Sequence, residues 1–530
     1  MALPAALVPL RNSTFRTLWG AGVVAWLGMW LQNTGAGWLM TSLAPDPLIV
    51  SMVQAATIMP VFLLALPGGA MADIVDRRVF LIGCQVWTCL AAVVLAVLTL
   101  SGAMTVSWLL FLTFAIGIGT ALNNPAWSAV VPELVPREDL VQAIALNGIG
   151  FNLTRAVGPA LAGFLILLGG PSLAFSLYAV SITTVIASLV YWRRDTRHFT
   201  GLPREHFLSA MRAGVRFVRN TPAIRAAMMR TIAYSIPCAA PWGLLPLFVR
   251  QELGLGAGMY GVILGAMGAG GVASGMLLPM FRARFSRGRT VLLCTLSSCV
   301  GMAVLSLAHH WAVAACGMLL FGIGWTSAYA TMQAAAQLVC PPWVRARSLS
   351  IYQLAQNGAL TVGSFGWGWL AGHVGMPVTL GIAAGVGAAL AVGALGFRIE
   401  AITPASAPAP SEKAMAPEAP AAELVPRLRN ASGRVMETAH YRVTPEERDA
   451  FMAIMRELRL LRGRTGAQFW QLYENVAHPE GWVEIWSMES WTDHLREAGR
   501  LSDTDRDMLA RAAAYQHDAN RPARYLAVDP

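Results

Sequence analysis

The sequence predicts an all-α membrane protein with twelve transmembrane helices in two six-helix halves, followed by a small soluble α+β domain. Four observations carry this. Of 530 residues, 55% are hydrophobic and 13% charged. Uncharged apolar runs of about 20 residues, the length a helix needs to cross a bilayer, recur through the first 400. Arginines gather in every second connection between those runs, and a constant shift of 205 residues partly superimposes one half of the chain on the other.

The apolar runs and their breakers place helices near 15–41, 48–71, 79–100, 106–131, 139–168, 171–192, 223–249, 258–281, 290–308, 311–339, 344–373 and 376–398. Arg77 and Arg78 follow the second, Arg137 the fourth, and a series from Arg193 to Arg225 the sixth. Arg282, Arg284, Arg287 and Arg289 follow the eighth, and Arg345 and Arg347 the tenth. The alternate connections are short, with Arg250 their one basic residue. Basic connections stay in the cytoplasm, so both termini are expected there, with the chain in a bacterial inner membrane. The first run is too long for the core of a cleavable signal and is expected to be the first span.

Between the halves, Phe207, Leu208, Met211, Val215 and Val218 share one helical face, and Arg212, Arg216 and Arg219 the other. This predicts an amphipathic helix lying on the inner leaflet. The expected domains are therefore 1–192 and 223–400 for the two halves, 193–222 for the connection, 401–429 for an Ala/Pro-rich linker and 430–530 for the tail. In the tail, strands are expected at 434–443, 467–476, 482–488 and 524–528. Helices are expected at 445–462, with Thr444 as N-cap, and at 491–499 and 503–517. That order is ferredoxin-like.

Charge and cysteine narrow the function. Residues 1–400 carry +13 and residues 401–530 carry −3. The basicity thus belongs to the membrane part, where cytoplasmic connections explain it, and no nucleic-acid partner is expected. The seven cysteines fall in apolar runs or at their ends, none at metal spacing from a histidine. No metal or cofactor is expected.

Under the 205-residue shift, Gly117-Ile118-Gly119 falls on Gly322-Ile323-Gly324, Arg77 on Arg282, Asn152 on Asn357, Gly158 on Gly363 and Gly163 on Gly368. Such parallel repeats rock against each other around a site near the bilayer midplane. Gly69-Ala70-Met71-Ala72-Asp73-Ile74-Val75-Asp76-Arg77-Arg78 resembles the loop signature between helices two and three of the major facilitator superfamily, with Asp76 where a second Gly is usual. Gly158-Pro159-Ala160-Leu161-Ala162-Gly163 resembles the fifth-helix signature of its antiporters. The stretch from Val135 to Gly163 is similar to the branch of enterobactin exporters and transmembrane secretion effectors. The resemblance covers residues 1–400 and extends towards the tail. It implies the superfamily's fold and export by alternating access, with proton antiport.

Gating is expected of Gly69, Asp73, Asp76, Arg77 and Arg78 and of Arg282, the repeat mate of Arg77. The alternative for these charges is ordinary cytoplasmic bias. Gly158 and Pro159 break a helix interior. Packing alone would explain that, whereas the resemblance implies a kink that shapes the outward seal.

Arg155 is read as the one charge placed inside the bilayer, at a cost of at least ~2.5–3.5 kcal/mol, and it cannot shed its proton. Asn152, three residues earlier, is expected on its face. Arg155 is either a fixed cation facing the cavity, holding an anionic substrate or taking part in coupling, or it bonds backbone carbonyls or a polar neighbour and holds two helices together. Gln32, Asn33, Asn124, Tyr234, Tyr329, Gln333, Gln356 and Asn357 are expected to line the same space, each with interhelical bonding as the alternative. No Asp or Glu lies in the middle of any predicted span, so a proton carrier is not evident.

The expected function is export of a small organic molecule (siderophore, secondary metabolite or drug), not enzymatic catalysis. The expected partners are that substrate, the lipid bilayer and, through the tail, a second copy. Two alternatives stand beside it: a transporter fused to a tail resembling cofactor-independent monooxygenases, and a lipid-handling or sensor protein without flux. His440, Trp470, Tyr473, His494 and His517 form no recognisable catalytic set.

Overall fold

Side-chain caps set several helix starts. Asn12 accepts from the backbone of Thr14 and Phe15 and opens α1 (Ser13–Leu43). Asp76 does the same for Arg78 and Val79 at the head of α3 (Arg77–Leu100). Thr105 caps α4 (Val106–Leu134) and Ser286 caps α9 (Arg287–Ser306). The other helices of this region are α2 (Pro47–Ile74), α5 (Leu140–Tyr191), α6 (Phe207–Asn220), α7 (Pro222–Gln251), α8 (Ala257–Arg284), α10 (Trp311–Val339), α11 (Arg345–Val374) and α12 (Met376–Gly393). Within α5, Gly169 and Gly170 leave helical geometry, Gly170 at φ +71°, a region that glycine enters without steric cost. Two helical segments therefore flank this break, where the sequence places the end of one apolar run and the start of the next.

This computed structural model describes residues 5–74, 76–192, 207–341, 343–397, 435–516 and 523–526. Among them, nine segments are long and apolar enough to cross a membrane, α5 counting once. α1 and α11 have the length but are not among the nine. They hold Gln32, Asn33 and Thr34, and Gln353, Gln356 and Asn357, respectively.

The chain divides into two compact units. The first comprises Met1–Leu202, Ala227–Ala334 and Tyr352–Glu400. In it α1 packs along α5, α2 along α4, α9 along α12, and α5 meets α8 across the two halves. Phe15, Leu18, Leu81, Val130, Leu146 and Leu189 form a core cluster near the arginine-rich end of the first half.

The second unit comprises Pro203–Ala226, Ala335–Ile351 and Ala401–Pro530. Its tail runs β1 (Val435–Arg442), α13 (Arg448–Thr465), β2 (Phe469–Glu474), β3 (Gly481–Met488), α14 (Trp491–Arg500), α15 (Asp503–Ala513) and β4 (Ala523–Leu526). The sheet order is β2-β3-β1-β4, and every pairing is antiparallel. β3 alternates strictly in burial, which sends Trp482, Trp486 and Met488 into a core with Phe451, Leu458 and Leu461. Thr444 does not cap the helix as expected. Its hydroxyl donates to Glu447 at 3.0 Å, a 3₁₀ turn covers Pro445–Glu447, and α13 begins at Arg448.

The amphipathic connection forms as α6, with its buried face turned from the expected one. Ala213, Phe217 and Val218 are buried and Val215 is exposed; the side chains of Phe207 and Leu208 lie outside the described residues. Phe217 meets Trp343 edge-on at 6.1 Å, Arg212 pairs with Glu489 at 3.2 Å, and Asn220 lies against Gly463 of α13. Protein of its own unit covers the buried face, so lipid is not what the helix's burial is built on.

Candidate functional site

α5 meets α8, and α1 meets α7, at the helix ends away from the arginine-rich connections. Gly163 of α5 and Gly261 of α8 pass so closely that a Cβ on either would lie 2.8 Å from the Cα of the other. At the end of α7, Arg250 donates to Thr41 at 3.0 Å and to Ser42. Its guanidinium lies 5.6 Å over the Trp38 ring, which stacks on Tyr260 at 5.7 Å. One cation, two hydroxyls and two aromatic faces thus tie α1 to α7 and α8.

Beside this junction lies a cavity of about 160 Å³. Trp30, Asn33, Thr34, Gln54, Thr57 and Trp242 supply most of its polar and aromatic lining. Trp30 stacks on Trp242 at 6.4 Å across the two halves. The aromatic series continues through Trp325 (5.5 Å) to Tyr329 (4.5 Å) and Tyr234 (5.2 Å). The indole nitrogens of Trp30 and Trp242 and the hydroxyl of Thr34 are buried without a hydrogen-bond partner among the described residues.

Arg155 lies close to this series. Its backbone carbonyl would come within 2.7 Å of a Cβ at Gly268 of α8, and its guanidinium is within electrostatic reach of Tyr234. One turn on, a Cβ at Gly158 would sit 2.6 Å from the Cβ of Trp30, so this glycine is the seat on which Trp30 rests. The Nη2 of Arg155 is buried with no hydrogen-bond partner among the described residues, and so is the Nε2 of Gln32. The unpartnered side-chain nitrogens of this region, on Trp30, Gln32, Arg155 and Trp242, are all donors. A donor left unsatisfied in a low-dielectric interior costs about 1–3 kcal/mol, more if charged. An acceptor-rich or anionic group relieves that cost.

The other candidates divide by partner. Asn33 lines the cavity. Asn152 is exposed and donates to the Gly148 carbonyl at 2.8 Å, turned to its own helix backbone. Asn124 is exposed as well. Tyr234 bonds Ser298 at 2.8 Å and Tyr329 bonds Ser235 at 2.6 Å, both inside the second half. Gln333, Gln356 and Asn357 are partly buried, and the Asn357 carbonyl accepts from Thr361 at 2.8 Å.

Among the expected gate residues, Asp76 caps α3 and Arg77, partly buried, is its first residue. Arg78 donates to the carbonyls of Leu189 (2.8 Å) and Val190 (2.5 Å) in the last turn of α5, where a cation complements the helix dipole. Arg282 donates to Thr331 at 3.3 Å. Pro159 is buried, and its carbonyl would meet a Cβ at Gly261 at 2.7 Å. The side chain of Asp73 and the surroundings of Gly69 lie outside the described residues.

Arg155 is not the only arginine inside a helix. Arg230 of α7, 6% exposed, donates to the carbonyls of Phe397 (2.7 Å), Gly288 (3.4 Å) and Leu395 (3.5 Å). Its position eight residues past Pro222 was the available signal. Thr34, Gln54 and Thr57 were missed too, although each is a polar residue within an apolar run.

A family model described as transmembrane secretion effector matches residues 4–529. The chain belongs to this family, within the major facilitator superfamily. The match runs through the tail, so the family pattern includes it. The staphyloferrin A transporter of Staphylococcus aureus is 28% identical over 141 residues, 26% of this chain and 36% of that protein. The enterobactin exporter EntS of Shigella boydii is 28% identical over 220 residues, 41% of this chain and 50% of that protein. This member thus spans half or less of the length of these curated relatives. A D-xylose-proton symporter structure superimposes with a TM-score of 0.56 at 16% identity, covering 73% of this chain and 98% of that one. That likeness is one of fold.

Proposed function

We propose that this chain exports a small organic anion across the bacterial inner membrane by alternating access of its two halves. In this reading the membrane part crosses twelve times: the break at Gly169–Gly170 separates two crossings, and α1 and α11, which carry cavity-facing amides, complete the count. Both termini lie in the cytoplasm, as the arginine distribution requires. The observation that carries the proposal is the contrast among arginines. Arg78, Arg230 and Arg250 give their hydrogen bonds to carbonyls or hydroxyls, whereas the buried Nη2 of Arg155, beside the aromatic series, has no hydrogen-bond partner among the described residues. Its repeat-related position is Leu360, so this cation belongs to one half and is where substrate selection would reside. The names of the two relatives, a staphyloferrin A transporter and an enterobactin exporter, support export of a small organic molecule. The proton gradient is the drive.

The test uses purified protein in proteoliposomes loaded with fluorescein, with a neutral dye and with a cationic dye of similar size, with and without a pH gradient. Gradient-dependent release of the anion, lost in Arg155→Ala and partly kept in Arg155→Lys, is the expected result. Anion release that is unchanged in Arg155→Ala removes the binding role. Release that ignores the gradient removes the coupling.

We read the tail, with its βαββααβ order and β2-β3-β1-β4 sheet, as a ferredoxin-like regulatory domain. Its hold on α6 and on the α10–α11 connection supports this: Arg212 pairs with Glu489, and Trp343 lies between Phe217 and the guanidinium of Arg500. Self-association through the tail is part of the same reading.

A further inference from the structure

The tail buries more charge than its core needs. Glu437 of β1 is 2% exposed, and His494 and Glu497 of α14 are 7% exposed each. The last two stand three residues apart, on one helix face, opposite Glu437. Glu484, fully buried, is occupied otherwise: it accepts from Tyr441 at 2.6 Å, Trp470 at 2.8 Å and Arg462 at 3.2 Å. Burial, then the charge of Glu484, pushes the Tyr441 phenol up, so it stays a donor.

Glu437 and Glu497 are arranged differently. Glu437 Oε2 accepts from Arg524 at 3.3 Å, and Glu497 Oε1 accepts from Arg462 at 3.1 Å. Each carboxylate gives one oxygen to an arginine and turns the other towards His494. His494 Nδ1 lies 2.7 Å from Glu437 Oε1 and 4.0 Å from Glu497 Oε2. One ligand atom from each of the three residues lies within 4.8 Å of the other two. His494 Nδ1 and Glu437 Oε1 thus pair with each other at 2.7 Å, and beyond that contact neither atom has a hydrogen-bond partner among the described residues.

We propose that Glu437, His494 and Glu497 bind a first-row divalent metal ion. Two carboxylate oxygens and an imidazole nitrogen are a donor set that Zn²⁺, Mn²⁺ and Fe²⁺ accept, with water completing the coordination. The outer oxygens are held by Arg524 and Arg462, which would fix the orientation of the two ligating carboxylates. The charges agree: three carboxylates against Arg462 and Arg524 leave one negative charge when His494 is neutral. A proton on His494 is the competing occupant of the same space.

The experiment uses the full chain in detergent, stripped with chelator and dialysed. Zn²⁺ or Mn²⁺ is then added, metal content is measured by mass spectrometry, and Co²⁺ is used as a visible probe. The expected result is one ion per chain above the content of His494→Ala and Glu437→Gln, with intense four- or five-coordinate Co²⁺ bands. Equal metal content in both variants overturns the site. So does a Co²⁺ spectrum of the hydrated ion alone in the unmodified protein, a readout that does not depend on the variants folding. Unfolding of the tail that responds to pH and not to the cation assigns the space to the proton and also overturns the site. None of these readouts involves transport.

Discussion

Replacing Gly163 by alanine tests the junction of the halves directly. The new Cβ would lie 2.7 Å from the carbonyl oxygen of Ala257 and 2.8 Å from the Cα of Gly261. Both neighbours are backbone, so neither can rotate away, and α5 and α8 must separate. Overpacking of this kind costs about 1–3 kcal/mol. The cost falls on the state in which this end is joined. If the halves part here during the cycle, the open state does not bear it, and the ratio of the two states shifts by roughly 5- to 150-fold. Asn33 lines the cavity beside the junction, so a cysteine there reports the opening. In a background lacking the exposed Cys316, labelling of Asn33→Cys by a membrane-impermeant maleimide should accelerate by that factor when Gly163→Ala is added. Gly366→Ala, where an added Cβ meets nothing within 4 Å, should leave the rate unchanged. An unchanged rate in Gly163→Ala, with the protein still folded, would refute the idea that this contact is made and broken.

Arg230→Ala removes a charged donor from the carbonyls that follow α12 and should cost about 1.5–3 kcal/mol, read as a lower unfolding temperature in detergent; Arg230→Lys should recover only part, since a point charge cannot span three carbonyls. Glu484→Gln leaves Arg462 buried with a weakened partner and should destabilise the tail by about 3–5 kcal/mol, read as faster hydrogen exchange across β1 and β3. Arg212→Ala, which breaks an exposed ion pair, should cost less than about 1 kcal/mol in the same exchange experiment. Trp343→Ala, which loses both Phe217 and Arg500 as ring partners, should raise exchange in α6 clearly more than Arg212→Ala does.

The legible parts of this chain are those set by local chemistry. Apolar length and arginine placement mark the helices, and Gly169-Gly170 marks where α5 breaks. Alternation marks β1 and β3. The starts were less legible, because Asp76 and Thr444 look alike as caps and only the first captures backbone N–H groups. α6 shows why a helical face is not a surface: the periodicity predicted an apolar stripe correctly in kind, but Phe217 was left out of it. The residue that buries it, Trp343, is more than a hundred positions away.

The site was legible as a set of unusual residues and not as a set of partnerships. Asn152 and Arg155 differ by three positions, yet Asn152 closes on its own helix backbone while Arg155 keeps a buried nitrogen without a hydrogen-bond partner among the described residues. Arg230 lies as deep in its helix as a fixed cation would, and bonds three carbonyls at helix ends. Composition cannot separate these cases, because the acceptors come from residues 288, 395 and 397, which the sequence near 230 does not mention. What separates a structural arginine from a binding one is whether the protein itself supplies the acceptors. By that criterion Arg230 is structural, whereas Arg155, whose Nη2 has no hydrogen-bond partner among the described residues and whose repeat mate is Leu360, is the cation that the proposed function assigns to the substrate.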